Sequence, residues 1–219
     1  MKAFLFDLNG TMIDDMGYHI KAWHTILTNL GADISLERTK EECYGKNNEL
    51  LERIFPGRFS ESEKDSMGYA KEEQYQREFR PNLRLIKGLD QFLEQAYHQH
   101  IKLAIGSAAI TFNIDFVLDG LHIRHYFSSI VSADNVVKSK PDPETYLKCA
   151  AELGVAPEDC VVFEDAPKGV EAAQNAGMQA VVITSMHMEE EFAAYTNITG
   201  FIEDYTAPWL HKALLTERV

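Results

Sequence analysis

Short apolar runs separated by helical patterns constrain this chain more than any other feature. The runs are Lys2 to Phe6, Ile101 to Ile105, Ser129 to Val131, Cys160 to Phe163 and Ala180 to Ile183. Each is continuous rather than alternating, the pattern of a strand buried on both faces. Between them lie helical patterns at Gly88 to His98, Asn113 to Leu118, Pro143 to Leu153 and Gly169 to Asn175. Strands alternating with helices predict an α/β domain with a mostly parallel sheet. Asn9-Gly10-Thr11 is the turn that ends the first strand.

Residues 15–81 break the alternation. Met16 to Leu30 carries Ile20, Trp23, Ile26, Leu27 and Leu30 at helical spacing and stops at Gly31. Leu36 to Cys43, Asn47 to Ile54 and Ser62 to Phe79 follow, and the last is charged enough to predict a solvated helix. The expected organisation is an α/β core from 1–14 and 82–219, with a small helical domain, 15–81, inserted after the first strand.

Composition narrows the function classes. The 219 residues carry a net charge of −13, which argues against nucleic acid or an anionic membrane as partner, since phosphate backbones need clustered Lys and Arg. No apolar run approaches the roughly 18–20 residues of a membrane span, and no signal-peptide core forms before Asp7. Cys43, Cys149 and Cys160 are odd in number and widely spaced, which predicts buried thiols and a cytoplasmic location.

In open α/β sheets the chemistry gathers at the carboxyl ends of the strands. Four such ends carry Asp7-Leu8-Asn9-Gly10-Thr11, Gly106-Ser107-Ala108, Lys138-Ser139-Lys140-Pro141 and Glu164-Asp165. Singly, each has a plain structural explanation as a cap, a turn acid or a surface lysine. Together they supply a carboxylate, a hydroxyl, an ammonium and an acid pair, a set suited to a hard divalent cation and a phosphate.

In that order and spacing the motifs resemble those of the haloacid dehalogenase-like hydrolases, and within them the β-phosphoglucomutase-like branch, through Tyr18-His19, Ala22-Trp23, Gly106-Ser107-Ala108, Lys140-Pro141 and Glu164-Asp165-Ala166. The resemblance implies a Rossmann-like core with a small helical cap. It implies that Asp7 is the nucleophile of an aspartyl-phosphate mechanism and that Ser107, Lys140 and the amides of 8–11 and Ala108 hold the phosphate. It further implies Mg²⁺ held by Asp7, Asp165 and the main-chain carbonyl of Asn9, with Glu164 a direct or water-mediated ligand. By the same resemblance, His19, Gly45, Lys46 and Asn47 of the cap meet the substrate. Trp23 is read instead as cap core.

The chain departs from the family pattern at Asn9, where phosphatases and mutases usually have an aspartate that acts as acid and base. An amide cannot exchange a proton near neutral pH. The residue reads equally as a natural specialisation or as an engineered stall. Asn48, Ile110 and Thr111 stand where the mutase pattern places an Arg and a Lys-Asn pair for a second phosphate. The expected activity is therefore a Mg²⁺-dependent phosphatase of a small phosphorylated metabolite, a sugar phosphate by preference, acting as a monomer or weak homodimer. The alternatives are a phosphosugar mutase and a phosphometabolite-binding protein that has lost turnover. Superfamily dehalogenases lack the metal acids, so Glu164-Asp165 argues against that chemistry. A phosphonate-hydrolase reading would need Lys46 as a Schiff-base partner.

Overall fold

The computed structural model describes residues 1–215. In chain order the elements are β1 (Ala3–Phe6), α1 (Met16–Asn29), α2 (Leu36–Glu42), α3 (Asn47–Ile54), α4 (Glu61–Phe79), α5 (Leu89–His98), β2 (Lys102–Gly106) and α6 (Thr111–Gly120). They continue with β3 (Ser129–Val131), α7 (Glu144–Leu153), β4 (Cys160–Glu164), α8 (Pro167–Asn175), β5 (Gln179–Ile183), β6 (Ile198–Ile202) and α9 (Pro208–Leu214). The chain divides into two compact units, Met1–Asp14 with the chain from Arg84 on, and Asp15–Leu83. No helix among the described residues is long and apolar enough to cross a membrane.

The first unit holds one six-stranded sheet in the order β3-β2-β1-β4-β5-β6, every pair parallel. This is the Rossmann-like α/β architecture that the alternating runs predict, with the strand order reversing direction at β1 and β4. β1 is buried along its whole length. Its two-residue period sends Phe4 and Phe6 to one face, where they meet Phe92, Phe163 and Tyr205. Phe6 and Phe163 stack with ring centroids 4.6 Å apart. Ala3 and Leu5 point to the other face and pack in the cluster that includes Tyr146, Val162 and Val170. By the same period Asp7, the next residue of that parity, leaves the sheet on the side of Leu5. Glu164 leaves it on the side of Val162.

Register completes the placement. Phe6 pairs with Ile105 on one neighbour and with Phe163 on the other. One step further along all three strands, Asp7 is level with Gly106 and Glu164, and its N–H donates to the Phe163 carbonyl at 3.0 Å.

β6 has no counterpart among the apolar runs. It is a half-exposed edge strand, reading Ile-Thr-Gly-Phe-Ile, with a register shift opposite Ala180 and Val181. Its Gly200 lies against Trp209, where a Cβ would come within 2.6 Å of the indole. An edge strand does not need two apolar faces, so the signature of a buried run is missing there.

The helical unit has its own core of Trp23, Leu27, Leu50 and Leu51, flanked by Ile26, Leu30, Ile34 and Met67. Ser35 caps α2 by accepting from the Arg38 N–H. At the start of α4 the Ser60 hydroxyl and the Glu63 carboxylate cap each other's backbone N–H groups. α4 corrects one expectation: it is not a simply solvated helix. Lys64, Gly68, Lys71, Glu72, Tyr75, Gln76 and Phe79 are all buried.

Candidate active site

The α/β unit brings together Asp7, Ser107, Lys140, Glu164 and Asp165. Lys140 Nζ donates to Asp7 Oδ1 at 2.6 Å and to Glu164 Oε1 at 2.7 Å. The Ser107 hydroxyl favours the charged form of Asp7, and its oxygen accepts the Ala109 N–H at 3.2 Å. Ala108 is half-buried in the loop between them. Ser107, Glu164 and Asp165 are nearly inaccessible.

Burial and charge set the protonation of this cluster. Burial pushes the Asp7 carboxyl up to about 6 against the pull of Lys140, and Glu164 adds to the rise. Burial, followed by the charges of Glu164 and Asp7, raises Asp165 well above the usual carboxylate range. Burial alone would lower Lys140, but Asp7 and Glu164 outweigh it and hold the ammonium above its ordinary range. Three buried carboxylates thus face one cation, and the positive charge falls short.

Glu164 and Asp165 are adjacent in sequence and differ in what they can do. Glu164 Oε1 accepts from Lys140 and from the Tyr146 hydroxyl at 2.8 Å. Its Oε2 accepts the N–H groups of Asp165 and Ala166, both at 3.0 Å. Two donors on each oxygen complete the capacity of a carboxylate. In this arrangement Glu164 therefore orients Lys140 and leaves no lone pair for direct ligation. The Thr11 hydroxyl donates to Asp165 Oδ1 at 3.1 Å. Among the described residues no three His, Cys, Asp or Glu side chains form a ready metal cage. What the site offers is two carboxylates, Asp7 and Asp165, beside the backbone turn of Asn9.

Both acids are seated against glycines. Gly10 has φ +74°, and a Cβ there would lie 2.1 Å from Asp165 Oδ2. On α8 a Cβ at Gly169 would lie 1.7 Å from Glu164 Oε1. Gly169→Ala is therefore expected to displace the Glu164 carboxylate and release Lys140 from one of its two anions. Overpacking of this kind costs about 1–3 kcal/mol. Thermal unfolding measured beside phosphate release should show both a lower midpoint and a lower rate.

The remaining sequence candidates lie in the helical unit. Gly45, at φ +74°, forms the turn before α3, and the Lys46 N–H donates to Glu49 Oε2 at 3.0 Å. Asn47 Nδ2 donates to Glu72 Oε1 at 2.8 Å. His19 is buried, stacked on Tyr75 with ring centroids 3.8 Å apart. Its Nδ1 lies 2.6 Å from Lys71 Nζ and its Nε2 lies 3.2 Å from Asp15 Oδ2. An ammonium only donates, so Nδ1 accepts and the ring proton sits on Nε2, aimed at Asp15. Lys71 also donates to both oxygens of Glu72 at 3.0 Å. His19 and Asn47 thus belong to one buried polar network, whereas Lys46 and Gly45 belong to the turn. Trp23 is core.

Sequence reasoning missed Lys71, Glu72, Tyr146, Ser185 and Tyr205. For Lys71 a trace existed: Lys64, Gly68, Lys71, Tyr75 and Phe79 recur at spacings of three and four, one face of a helix. Tyr205 donates to the Thr11 carbonyl at 3.0 Å from 194 residues away, and nothing local marks it.

Comparison with known proteins agrees with this geometry. The sequence model described as haloacid dehalogenase-like hydrolase matches residues 4–183. The fructose-1-phosphate phosphatase YqaB of Escherichia coli (strain K12) is 30% identical over 82% of this chain and 94% of its own length. The β-phosphoglucomutase of Bacillus subtilis is 36% identical over 83% and 82%. Among solved structures, a haloacid dehalogenase-type hydrolase (family IA, variant 3) from Entamoeba histolytica superposes with a TM-score of 0.85 at 25% identity, covering 99% of this chain and 100% of the other. A β-phosphoglucomutase from Clostridium difficile gives 0.81 at 28% identity, covering 94% and 92%.

Proposed function

Because this chain belongs to the haloacid dehalogenase-like hydrolase family, we propose that it is a Mg²⁺-dependent phosphatase of a small sugar phosphate, acting through an aspartyl-phosphate on Asp7. The observation that carries the reading is the Asp7 carboxylate itself. It is held by Lys140 at the strand-order switch of a parallel sheet, beside a second buried acid.

Asp7 Oδ attacks phosphorus, a P–O bond forms, and the bond to the sugar oxygen breaks with its electron pair. Lys140 and Ser107 hold the phosphoryl oxygens as charge redistributes. Water then cleaves the acyl phosphate and frees Asp7. The donor chemistry fits Mg²⁺: two carboxylates and main-chain oxygen are hard ligands, and three buried acids share the single ammonium of Lys140. Asp7, Asp165 and the Asn9 carbonyl would hold the ion, which when bound supplies positive charge for the phosphate and the crowded carboxylates.

Several relatives are named for phosphorylated sugars: the fructose-1-phosphate phosphatase, hexitol phosphatase B of Escherichia coli, and a phosphorylated carbohydrates phosphatase of Thermotoga maritima. A second reading, phosphosugar mutase, is favoured by the Bacillus subtilis relative. Against it, Asn48 Nδ2 is bound to Glu61 and Asp65, and the Thr111 N–H is bound to Asp134. Asn48, Ile110 and Thr111 stand in the sequence where the mutase pattern has an Arg and a Lys-Asn pair, and each charge-assisted bond so lost is worth about 1.5–3 kcal/mol.

The test is a panel of sugar phosphates with purified protein. Phosphate release is expected with Mg²⁺, to vanish in EDTA, to return on Mg²⁺ addition and to be poor with Ca²⁺, whose longer bonds misplace the nucleophile. Full activity in chelator would contradict the cation's role. Isomerised sugar phosphate without net phosphate release would favour the mutase, and binding without turnover a sensor.

A further inference from the structure

The loop after β5 carries a serine that the proposed mechanism does not use. Ser185 Oγ donates to the Gly10 carbonyl at 2.7 Å, across 175 residues of chain. The serine is itself held firmly. Its neighbour Thr184 ties both its N–H, at 2.9 Å, and its hydroxyl, at 3.3 Å, to the Ile202 carbonyl of β6. The edge of the sheet thus anchors a hydroxyl that reaches back to the turn after β1.

Gly10 matters because of what rests on it. Its bare Cα is the wall against which Asp165 Oδ2 lies, close enough that no side chain fits between them. The next residue, Thr11, donates its hydroxyl to Asp165 Oδ1. Rotation of the peptide joining Gly10 and Thr11 would therefore shift both supports of Asp165. The Gly10 carbonyl is the handle by which that peptide can be held, and a glycine with φ +74° has little of its own to resist rotation. Tyr205 secures the following peptide through the Thr11 carbonyl, but it is wholly buried among aromatic rings and its removal would disturb the core. Ser185 is half-buried and makes the more specific connection.

We propose that Ser185 is a positioning residue for the candidate cation site: by pinning the Gly10 carbonyl it fixes the backbone wall and the Thr11 hydroxyl that orient Asp165. The proposal rests on Asp165 being a cation ligand. Outer partners that orient a ligand typically change affinity or activity by 10–100-fold when removed.

Binding of Mg²⁺ alone, by calorimetry, separates this from a merely structural role. Ser185→Ala should weaken Mg²⁺ binding about 10-fold, with little change in Tm, and Ser185→Thr should restore it by returning a hydroxyl. In turnover, the Ser185→Ala defect should be marked at low Mg²⁺ and shrink as Mg²⁺ approaches saturation. Wild-type binding matched by Ser185→Ala overturns the proposal alone, as does a Ser185→Thr chain as weak as Ser185→Ala. A wild-type chain that takes up no Mg²⁺ overturns the reading of the site and this proposal with it.

Discussion

Asp7→Asn should reduce turnover by about 10⁴-fold or more, the scale seen when a nucleophile is removed, while the chain stays folded. Asp7 is the carboxylate that Lys140 holds, and an amide in its place neither attacks phosphorus nor carries the charge that pairs with the ammonium. Stability should respond in a defined direction. In the cation-free protein the Asp7 pKa is raised from 3.8 to about 6, first by burial. The folded state therefore binds the Asp7 proton more tightly than the unfolded chain does, so the wild type loses stability as pH climbs through that window. The Asp7→Asn chain has no proton to lose there. Its Tm relative to wild type should rise between about pH 4 and pH 6 and level off above. The lost ion pair with Lys140 offsets the gain at any one pH, so the slope of the difference is the quantity to measure. Substantial phosphate release by Asp7→Asn would sink the covalent mechanism.

Asn9→Asp should have the opposite sign. Breaking the bond to a sugar oxygen leaves an alkoxide that needs a proton, and general acid–base assistance is typically worth about 10²–10⁴ in rate. A carboxylate at position 9 could supply that proton and later take one from the attacking water. The gain should be large for sugar phosphates and small for esters with acidic leaving groups, such as p-nitrophenyl phosphate. With Asn9 in place, the second step also lacks its base, so a burst of product followed by a slow steady state is expected, and Asn9→Asp should abolish it. A leaving-group series at fixed Mg²⁺, run on both proteins, measures this. Unchanged or uniformly lowered rates would show that position 9 has no part in proton transfer.

The placement of positions 7 and 9 at the end of β1 was legible because a strand end is a local event. A buried apolar run followed by a turn places its next polar side chain at the carboxyl edge of the sheet wherever that strand lies. The same logic picks out Ser107 after β2 and Glu164 at the end of β4. β6 escaped it because the strand is mostly exposed or half-buried and Thr199 and Gly200 interrupt its apolar run.

The helical unit shows a limit of another kind. Charged residues are read as solvated because ionic groups are costly to bury unpaired. Lys71 and Glu72 are buried all the same, since His19 and Asn47, from helices distant in sequence, satisfy them. Pairing of that sort leaves no composition signature.

The sequence by itself determined the parallel α/β core, the helical insertion and the residue types at the strand ends, because burial and the two-residue period act within a single element. Only the tertiary structure decided how those residues divide their work. Glu164 and Asp165 are indistinguishable as neighbouring acids. One is saturated by Lys140, Tyr146 and two backbone amides, and the other rests on Gly10 under the hand of Ser185. A carboxylate's role depends on which donors have reached it first. Those donors come from segments up to 154 residues apart that only the folded sheet brings together.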